Sequence, residues 1–371
     1  MHRQVHSRGR AKMVSAPVLP RIKLDHLRTL TDDRGILQHA KFSVPNRVEG
    51  YATDDNARAL VAVLKLHEIH RDADVIDLIE TYLGNLYHMQ KPDGSFHNYM
   101  TYDLKRVNDE LTDSLGRALW ACGYAQQATI PGGLRDLAKE IFDRALPWSM
   151  VSTSPRVKAF ALMGLCHYGA AFPTDLNAKL NAGALAERLV DWYRVNRSDD
   201  WAWFEPYITY CSSRLPQALF LACNWLSDPA MLEIAKESFA FLSDVQTVNG
   251  AFVPIGNERW YHEGEERSLF DQQPIEAACT VEAASTAFST TREGRYLEAA
   301  RLAFSWFLGR NSKGVTLYDP TTGGCHDGIT REGMNLNQGA EATVSYLLAR
   351  LELEKLERLV AKRSRGSRTP N

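Results

Sequence analysis

No stretch of the 371-residue sequence approaches the roughly 18 consecutive apolar residues that a membrane-spanning helix needs. The first twenty residues carry basic side chains without the apolar run of a secretory signal. Neither sign of charge dominates: 43 Lys and Arg stand against 45 Asp and Glu, a net charge of -2, so neither nucleic acid nor an anionic membrane is expected as a partner. Cysteine is sparse and unpatterned. Cys122, Cys166, Cys211, Cys223, Cys279 and Cys325 form no Cys-x-x-Cys pair, and most fall in apolar helical stretches. They are read as reduced thiols of a cytoplasmic protein, with no metal or other cofactor expected. No exposed apolar stripe marks the outer helices, so the sequence carries no sign of oligomeric state.

What is present is a repeat. Thr53-Asp54-Asp55-Asn56-Ala57-Arg58-Ala59-Leu60 matches Thr112-Asp113-Ser114-Leu115-Gly116-Arg117-Ala118-Leu119, both reading T-D-x-x-x-R-A-L. Weaker copies are Thr153-Ser154-Pro155-Arg156-Val157-Lys158-Ala159, Ser213-Arg214-Leu215-Pro216-Gln217-Ala218, Gln272-Gln273-Pro274-Ile275-Glu276-Ala277 and Asn337-Gln338-Gly339-Ala340-Glu341-Ala342. Indexed by the polar residue before the alanine, the copies fall at 58, 117, 158, 217, 276 and 341, with steps of 59, 41, 59, 59 and 65. Each copy opens a helix that is apolar on nearly all faces and is therefore buried, at 59–66, 118–125, 159–168, 218–225, 277–288 and 342–353. Amphipathic helices at 24–30, 75–89, 134–146, 185–195, 231–245 and 296–307 supply an outer layer. Six outer–inner pairs close into an all-α (α/α)6 toroid over residues 22–355. A flexible segment at 1–21 precedes it, and a basic tail at 356–371 follows. An open solenoid would need distinct capping repeats, and the terminal copies are as polar at the index site as the others.

Residues four apart share a helix face, so the index side chains and those four earlier point together into the central funnel. One set is Arg58, Arg117, Lys158, Gln217, Glu276 and Glu341; the other is Asp54, Asp113, Ser154, Ser213, Gln272 and Asn337. The bland account is that Asp54, Asp113, Ser154 and Ser213 cap their helices and that Arg58 and Arg117 pair with the caps. It does not explain why Asp55, Asp109, Glu110, Glu205 and Arg214 crowd the same rim, which points to a ligand pocket. The connecting loops add aromatics: Tyr99, Trp201, Trp203, Tyr207, Tyr210 and Trp260, with Gln273, His326 and Gln338 nearby. Aromatic plates beside carboxylates, amides and arginines suit pyranose rings, which have apolar C–H faces and a belt of hydroxyls. About half of these aromatics are expected to be loop anchors instead. The third hairpin lacks a long loop, which accounts for the step of 41 and leaves one side of the rim open.

The stretch Gly50-Tyr51-Ala52-Thr53-Asp54-Asp55-Asn56-Ala57-Arg58-Ala59-Leu60, with Asn335-Leu336-Asn337-Gln338-Gly339-Ala340-Glu341-Ala342, resembles bacterial six-hairpin glycosidase-like proteins. These are similar to the unsaturated glucuronyl hydrolases and to the N-acylglucosamine 2-epimerase type. The resemblance implies a carbohydrate-active barrel. In the glucuronyl hydrolases, aspartates at the starts of neighbouring inner helices are acid and base, and Asp54 or Asp55 with Asp113 match by position. No segment matches their uronate-binding residues. The epimerases use histidines on inner helices, whereas His39, His97, His262 and His326 fall mainly on loops here.

Glycoside hydrolysis needs two carboxyl groups across the bond, one kept protonated by burial or by a like-charged neighbour. The adjacent Asp54 and Asp55 provide that neighbour. The expected reaction is inverting hydrolysis of an oligosaccharide, with Asp55 or Asp54 as acid and Asp113 or Glu341 as base. Arg58, Arg117 and Lys158 would hold hydroxyls or an anionic group; if they hold phosphate, the enzyme is a phosphorylase. Rival readings are a non-catalytic glycan-binding toroid and a terpene cyclase or prenyltransferase barrel, the latter from Gln90-Lys91-Pro92-Asp93-Gly94-Ser95-Phe96. A lanthionine-cyclase-like zinc site is suggested by Cys325-His326 but lacks its second cysteine context.

Overall fold

The computed structural model describes residues 18–71, 73–108 and 110–366 of the chain. Among them, twelve helices alternate between two layers. The inner layer is α2 (Thr53–His70), α4 (Asp113–Gln127), α6 (Pro155–Ala171), α8 (Arg214–Leu226), α10 (Pro274–Thr291) and α12 (Ala340–Gly366). The outer layer is α1 (Asp25–Leu30), α3 (Ile76–Met89), α5 (Gly132–Val151), α7 (Leu176–Asn196), α9 (Pro229–Gln246) and α11 (Gly294–Ser305). Each inner helix packs against the next, and α12 returns to α2, so the ring closes as an all-α (α/α)6 toroid. The inner helices are buried from their first turn, as their apolar circumference requires; α10 buries every residue from Pro274 to Ser285. No described helix is long and apolar enough to cross a membrane.

The capping account of the polar ring holds at one position. Ser154 caps α6, its hydroxyl accepting from Val157 N. At α4 the cap is Thr112, which accepts from Ser114 N, while α2 begins at Thr53 after an uncapped Ala52. Asp54 and Asp113 therefore lie inside the first turn, where the helix dipole favours their charge.

Helices α4 and α6 meet through glycine. A Cβ on Gly123 would collide with the backbone of Gly164, and one on Gly164 with the carbonyl of Leu119. Small residues at the seams thus set the inner radius of the ring.

Several boundaries differ from those expected. Helix α5 runs through Pro147 to Val151, and α7 begins at Leu176, well before 185. Helix α12 continues through Gly366, past the expected boundary at 355. Residues 18–21 join the body: Leu19 packs on the core, and Arg350 Nε donates to Pro20 O at 2.8 Å. The expectations for 1–17 and 367–371, and for Asp109 at the rim, lie outside the described residues.

The repeat predicts helices alone, yet five short antiparallel strands in sequential order cover part of the rim. They are β1 (Thr31–Asp32), β2 (Gly35–Lys41), β3 (Val44–Ala52), β4 (Tyr99–Met100) and β5 (Arg106–Val107). The β2–β3 turn has no glycine signal; Phe42 takes a left-handed φ of 54°. That turn is held from outside. Phe42 N donates to Asn337 Oδ1 at 2.9 Å, and Gln338 N donates to Phe42 O at 2.9 Å.

Gly164→Ala is expected to lower folding stability by about 1–3 kcal/mol, because the atom it meets is backbone and cannot move aside. A shift of the urea midpoint at unchanged slope would show this; an unchanged midpoint would mean that α4 and α6 are not in close contact.

Candidate active site

A cavity of about 320 Å³ opens at the rim where the inner helices begin. Helix α2 contributes Asp54, Asp55 and Arg58, and α12 contributes Glu341. Strand β2 adds Gln38 and His39, and Tyr99 of β4 forms part of the wall. The loops before α10 and α12 supply Asp271, Gln273, Asp327 and Asn335.

Arg58 organises the floor. Its Nη2 donates to Asp54 Oδ2 at 2.7 Å and to Asp55 Oδ1 at 3.0 Å, and its Nη1 to Glu341 Oε2 at 2.6 Å. Arg117 Nη1 reaches Asp54 Oδ2 at 3.3 Å from α4. Asp54, Asp55 and Glu341 bring one oxygen each within 4.8 Å of one another. Two adjacent aspartates are thereby driven apart. Burial opposes charge on Asp54, but Arg58 and Arg117 outweigh it and hold its carboxyl below the usual range. Burial pushes Asp55 well above that range despite Arg58, and the neighbouring Asp54 and Glu341 add to the shift. Asp271 and Asp327 are also raised, chiefly by burial.

The remaining expected site residues separate into groups. Asp113 does not line the cavity; it lies beyond Arg117, with Oδ1 accepting from Ser154 Oγ at 3.1 Å and Oδ2 buried without a partner. Tyr210 stands beside it, exposed, with Trp260 at 6.0 Å between ring centroids. The Glu205 carboxylate takes a 2.9 Å ion pair from Arg156, whose guanidinium also lies 4.9 Å from the Tyr210 ring. Tyr207 is exposed and pairs with His262.

Trp201 and Trp203 belong to the loop-anchor half of the aromatics. Both are buried; Trp201 Nε1 donates to Glu205 O at 2.7 Å and its ring meets Phe241 and Tyr261 edge-on. Arg214 and Gln217 lie deeper in the barrel, bonded to each other, with Arg214 also paired to Glu282. His326 and Asn337 hold loop backbone, at Leu336 O and Phe42 N. Gln338 is buried and donates to Asp319. Lys158 departs furthest from expectation. Its ammonium donates to the carbonyls of Ser149 and Met150 and lines a different cavity, because the short third connection lets it reach the end of α5.

Asp271 and Asp327 were missed as site residues although each adjoins a repeat or loop already singled out, which was the available signal. Gln38 was missed, and His39 was placed on a loop, because the strand that carries them was not foreseen.

Glu276 forms a buried cluster beneath the cavity. Its Oε1 accepts from Cys211 N at 2.5 Å, and Oε2 has no partner. Burial, then Cys211, push its carboxyl up to about 8. Cys211, in left-handed backbone at φ 51°, has its sulfur 3.4 Å from Arg117 Nη2. The Cys279 thiol beside it, with help from Arg117, pulls Cys211 down to about 6.

No protein-family profile and no curated protein sequence matches the chain. Solved structures do, and they share the (α/α)6 toroid. Cellobiose 2-epimerase from Bacillus thermoamylovorans superposes with a TM-score of 0.69 at 12% identity, over 91% of this chain and 96% of that one. D-mannose isomerase gives 0.67 at 12% identity, over 89% and 94%. An inactive variant of an α-1,6-mannanase from Salegentibacter sp., in complex with α-1,6-mannotetrose, gives 0.61 at 12% identity, over 90% and 96%. At such identity the shared property is the fold.

Glu276 should make folding stability fall with pH. Between its ordinary value of 4.5 and about 8 the folded chain keeps a proton that the unfolded chain has lost, so stability declines across this window and levels off above it. Cys211 titrates in the opposite sense, so the comparison is between wild type and Glu276→Gln. Urea midpoints measured from about pH 5 to about pH 9 should fall less steeply for the variant; parallel curves would mean that Glu276 is ionised throughout.

Proposed function

We propose that the chain is a carbohydrate-active enzyme and, more narrowly, a glycoside hydrolase working through Asp54 and Asp55. The observation that carries this is that two adjacent carboxyls share the floor of one pocket while their surroundings push their acidities apart, Arg58 and Arg117 holding Asp54 below the usual range and burial raising Asp55 above it. Separated protonation states on adjacent acids are what acid and base roles require. Asp55 gives its proton to the glycosidic oxygen, and the leaving sugar departs. Asp54, oriented by Arg58 and Arg117, attacks the anomeric carbon as the bond to the leaving oxygen breaks, forming a glycosyl ester. Asp55, now ionised, takes a proton from a water that attacks the same carbon, which breaks the ester and releases the Asp54 carboxylate. The mannanase neighbour supports this reading, since its inactive variant has two adjacent aspartates changed to alanine.

The spacing favours a retaining course over the inverting one expected from sequence. Inversion needs carboxyl groups about 6.5–9.5 Å apart to admit a water, and retention about 5–5.5 Å. One oxygen of each aspartate lies within 4.8 Å of one of the other, short of the first range and nearer the second. Of the two bases that inversion would use, Asp113 does not line the cavity, and Glu341 lines it with an oxygen inside the same 4.8 Å.

Carboxyl groups on three sides of the pocket suit hydroxyls of a neutral sugar and disfavour phosphate, which weighs against phosphorolysis. Epimerisation is the second reading: two similar structures are an epimerase and an isomerase, and His39 lines this cavity near Asp327.

The test is anomer-resolved NMR of purified protein with α-1,6-linked manno-oligosaccharides, cellobiose and mannose. Cleavage with retained configuration is expected, falling about 10²–10⁴-fold in Asp55→Asn. In wild type the rate should fall on the alkaline side as Asp55 loses its proton, above the ordinary carboxylate range. A changed C2 configuration without cleavage would move the assignment to epimerisation. Cleavage only with phosphate would make it a phosphorylase, and saturable binding of every sugar without turnover would leave a glycan-binding toroid.

A further inference from the structure

Lys158 lines a cavity of about 360 Å³ on the flank of the third hairpin, apart from the Asp54–Asp55 pocket. The end of α5, the short connection at Ser152 and Thr153, and Arg188 and Trp192 of α7 complete it. The cavity is open because this hairpin lacks the long loop found elsewhere, the origin of the 41-residue step.

Its electrostatics are one-sided. Lys158 Nζ is fixed at 3.1 Å from both Ser149 O and Met150 O, and its side chain has been drawn out of bulk water. Arg188 lies 5.2 Å from the centroid of the Trp192 ring. Among the described residues its guanidinium makes no hydrogen bond or ion pair. Burial lowers the Lys158 ammonium, and the Arg188 charge lowers it further. No carboxylate lines the cavity. Two cations thus face one space without a counter-charge, beside the Ser152 hydroxyl, whose oxygen already accepts from Ser154 N and whose hydrogen is free to be donated. A flat guanidinium held on an indole is suited to a planar or tetrahedral oxyanion, which it meets with two parallel hydrogen bonds.

We propose that this cavity binds a small oxyanion, either a free phosphate or a sugar-borne carboxylate, between Lys158 and Arg188 with Trp192 as one wall.

Isothermal titration of the full chain with inorganic phosphate, with glucuronate and with glucose as the uncharged control tests this. Saturable binding of at least one anion is expected, none for glucose at this cavity, and weakening with added salt. Arg188→Met should reduce the affinity about tenfold or more, the loss of one charge-assisted pair; Arg188 is exposed, so this variant should fold like wild type. Lys158→Met should weaken binding as well, with circular dichroism confirming that the fold is kept. Asp54→Asn should leave binding unchanged, which separates this cavity from the arginines of the other pocket. Phosphate binding alone identifies a free oxyanion, and glucuronate binding alone a sugar-borne carboxylate. No saturable binding of either anion, or binding that survives Arg188→Met, overturns the proposal.

Discussion

The contact between Arg58 and three carboxyl groups is the constraint on which the site depends. One guanidinium, itself almost fully buried, serves Asp54 and Asp55 on the first inner helix and Glu341 on the last. Without it, three acids with oxygens inside 4.8 Å would face one another in a half-dry pocket, and proton uptake or movement would be the only relief. With it, the seam where the ring closes and the place where the chemistry is proposed coincide. The same cation acts unequally on the two aspartates. Asp54 shares a second arginine, Arg117, whereas Asp55 is more deeply buried beside two acids, so the acidities of adjacent and chemically identical side chains are pushed in opposite directions.

Charge also continues down the axis. Lys65 of α2 donates to Glu282 of α10 and Glu352 of α12, each at 2.7 Å, and Arg214 of α8 completes the set through Glu282. Ser285 supplies Glu352 with a further bond at 2.8 Å. Ion pairs of this kind add little net stability over apolar packing, but breaking one leaves an uncompensated buried charge. Helices α2, α8, α10 and α12 are therefore matched to one another by pairing as well as by shape. The cross-barrel pairs specify which helix sits opposite which, something that alanine and leucine faces alone would leave nearly degenerate.

The architecture was legible because its cause is periodic: the same polar–small step recurs at each inner helix, and spacing survives where residue identity drifts. Asp54, Arg58 and Glu341 were legible for the same reason, as helix-face geometry brings them together. Legibility ended where tertiary contacts decide local structure. The Phe42 turn has left-handed backbone at a residue that gives no such signal, and two bonds from the loop before α12 hold it there. Lys158 occupies the right position in the repeat, but its neighbours are set by a deletion in the preceding loop. Trp201 and Trp203 carry the composition of sugar platforms and serve as core, a distinction that depends on burial and not on residue type. Asp271 and Asp327 enter the pocket from loops, whose paths no periodicity describes.

The Arg58–Glu341 bond joins residues 283 positions apart in the chain. A contact of that span forms only after five of the six hairpins have emerged. Until α12 has left the ribosome, Asp54 and Asp55 belong to an arc with an open end, and their pocket has no far wall. Chains that stop short of the sixth hairpin would carry the aspartate pair but not the enclosure proposed to give it different charges. Ring closure thus makes the proposed chemistry conditional on synthesis of the sixth hairpin.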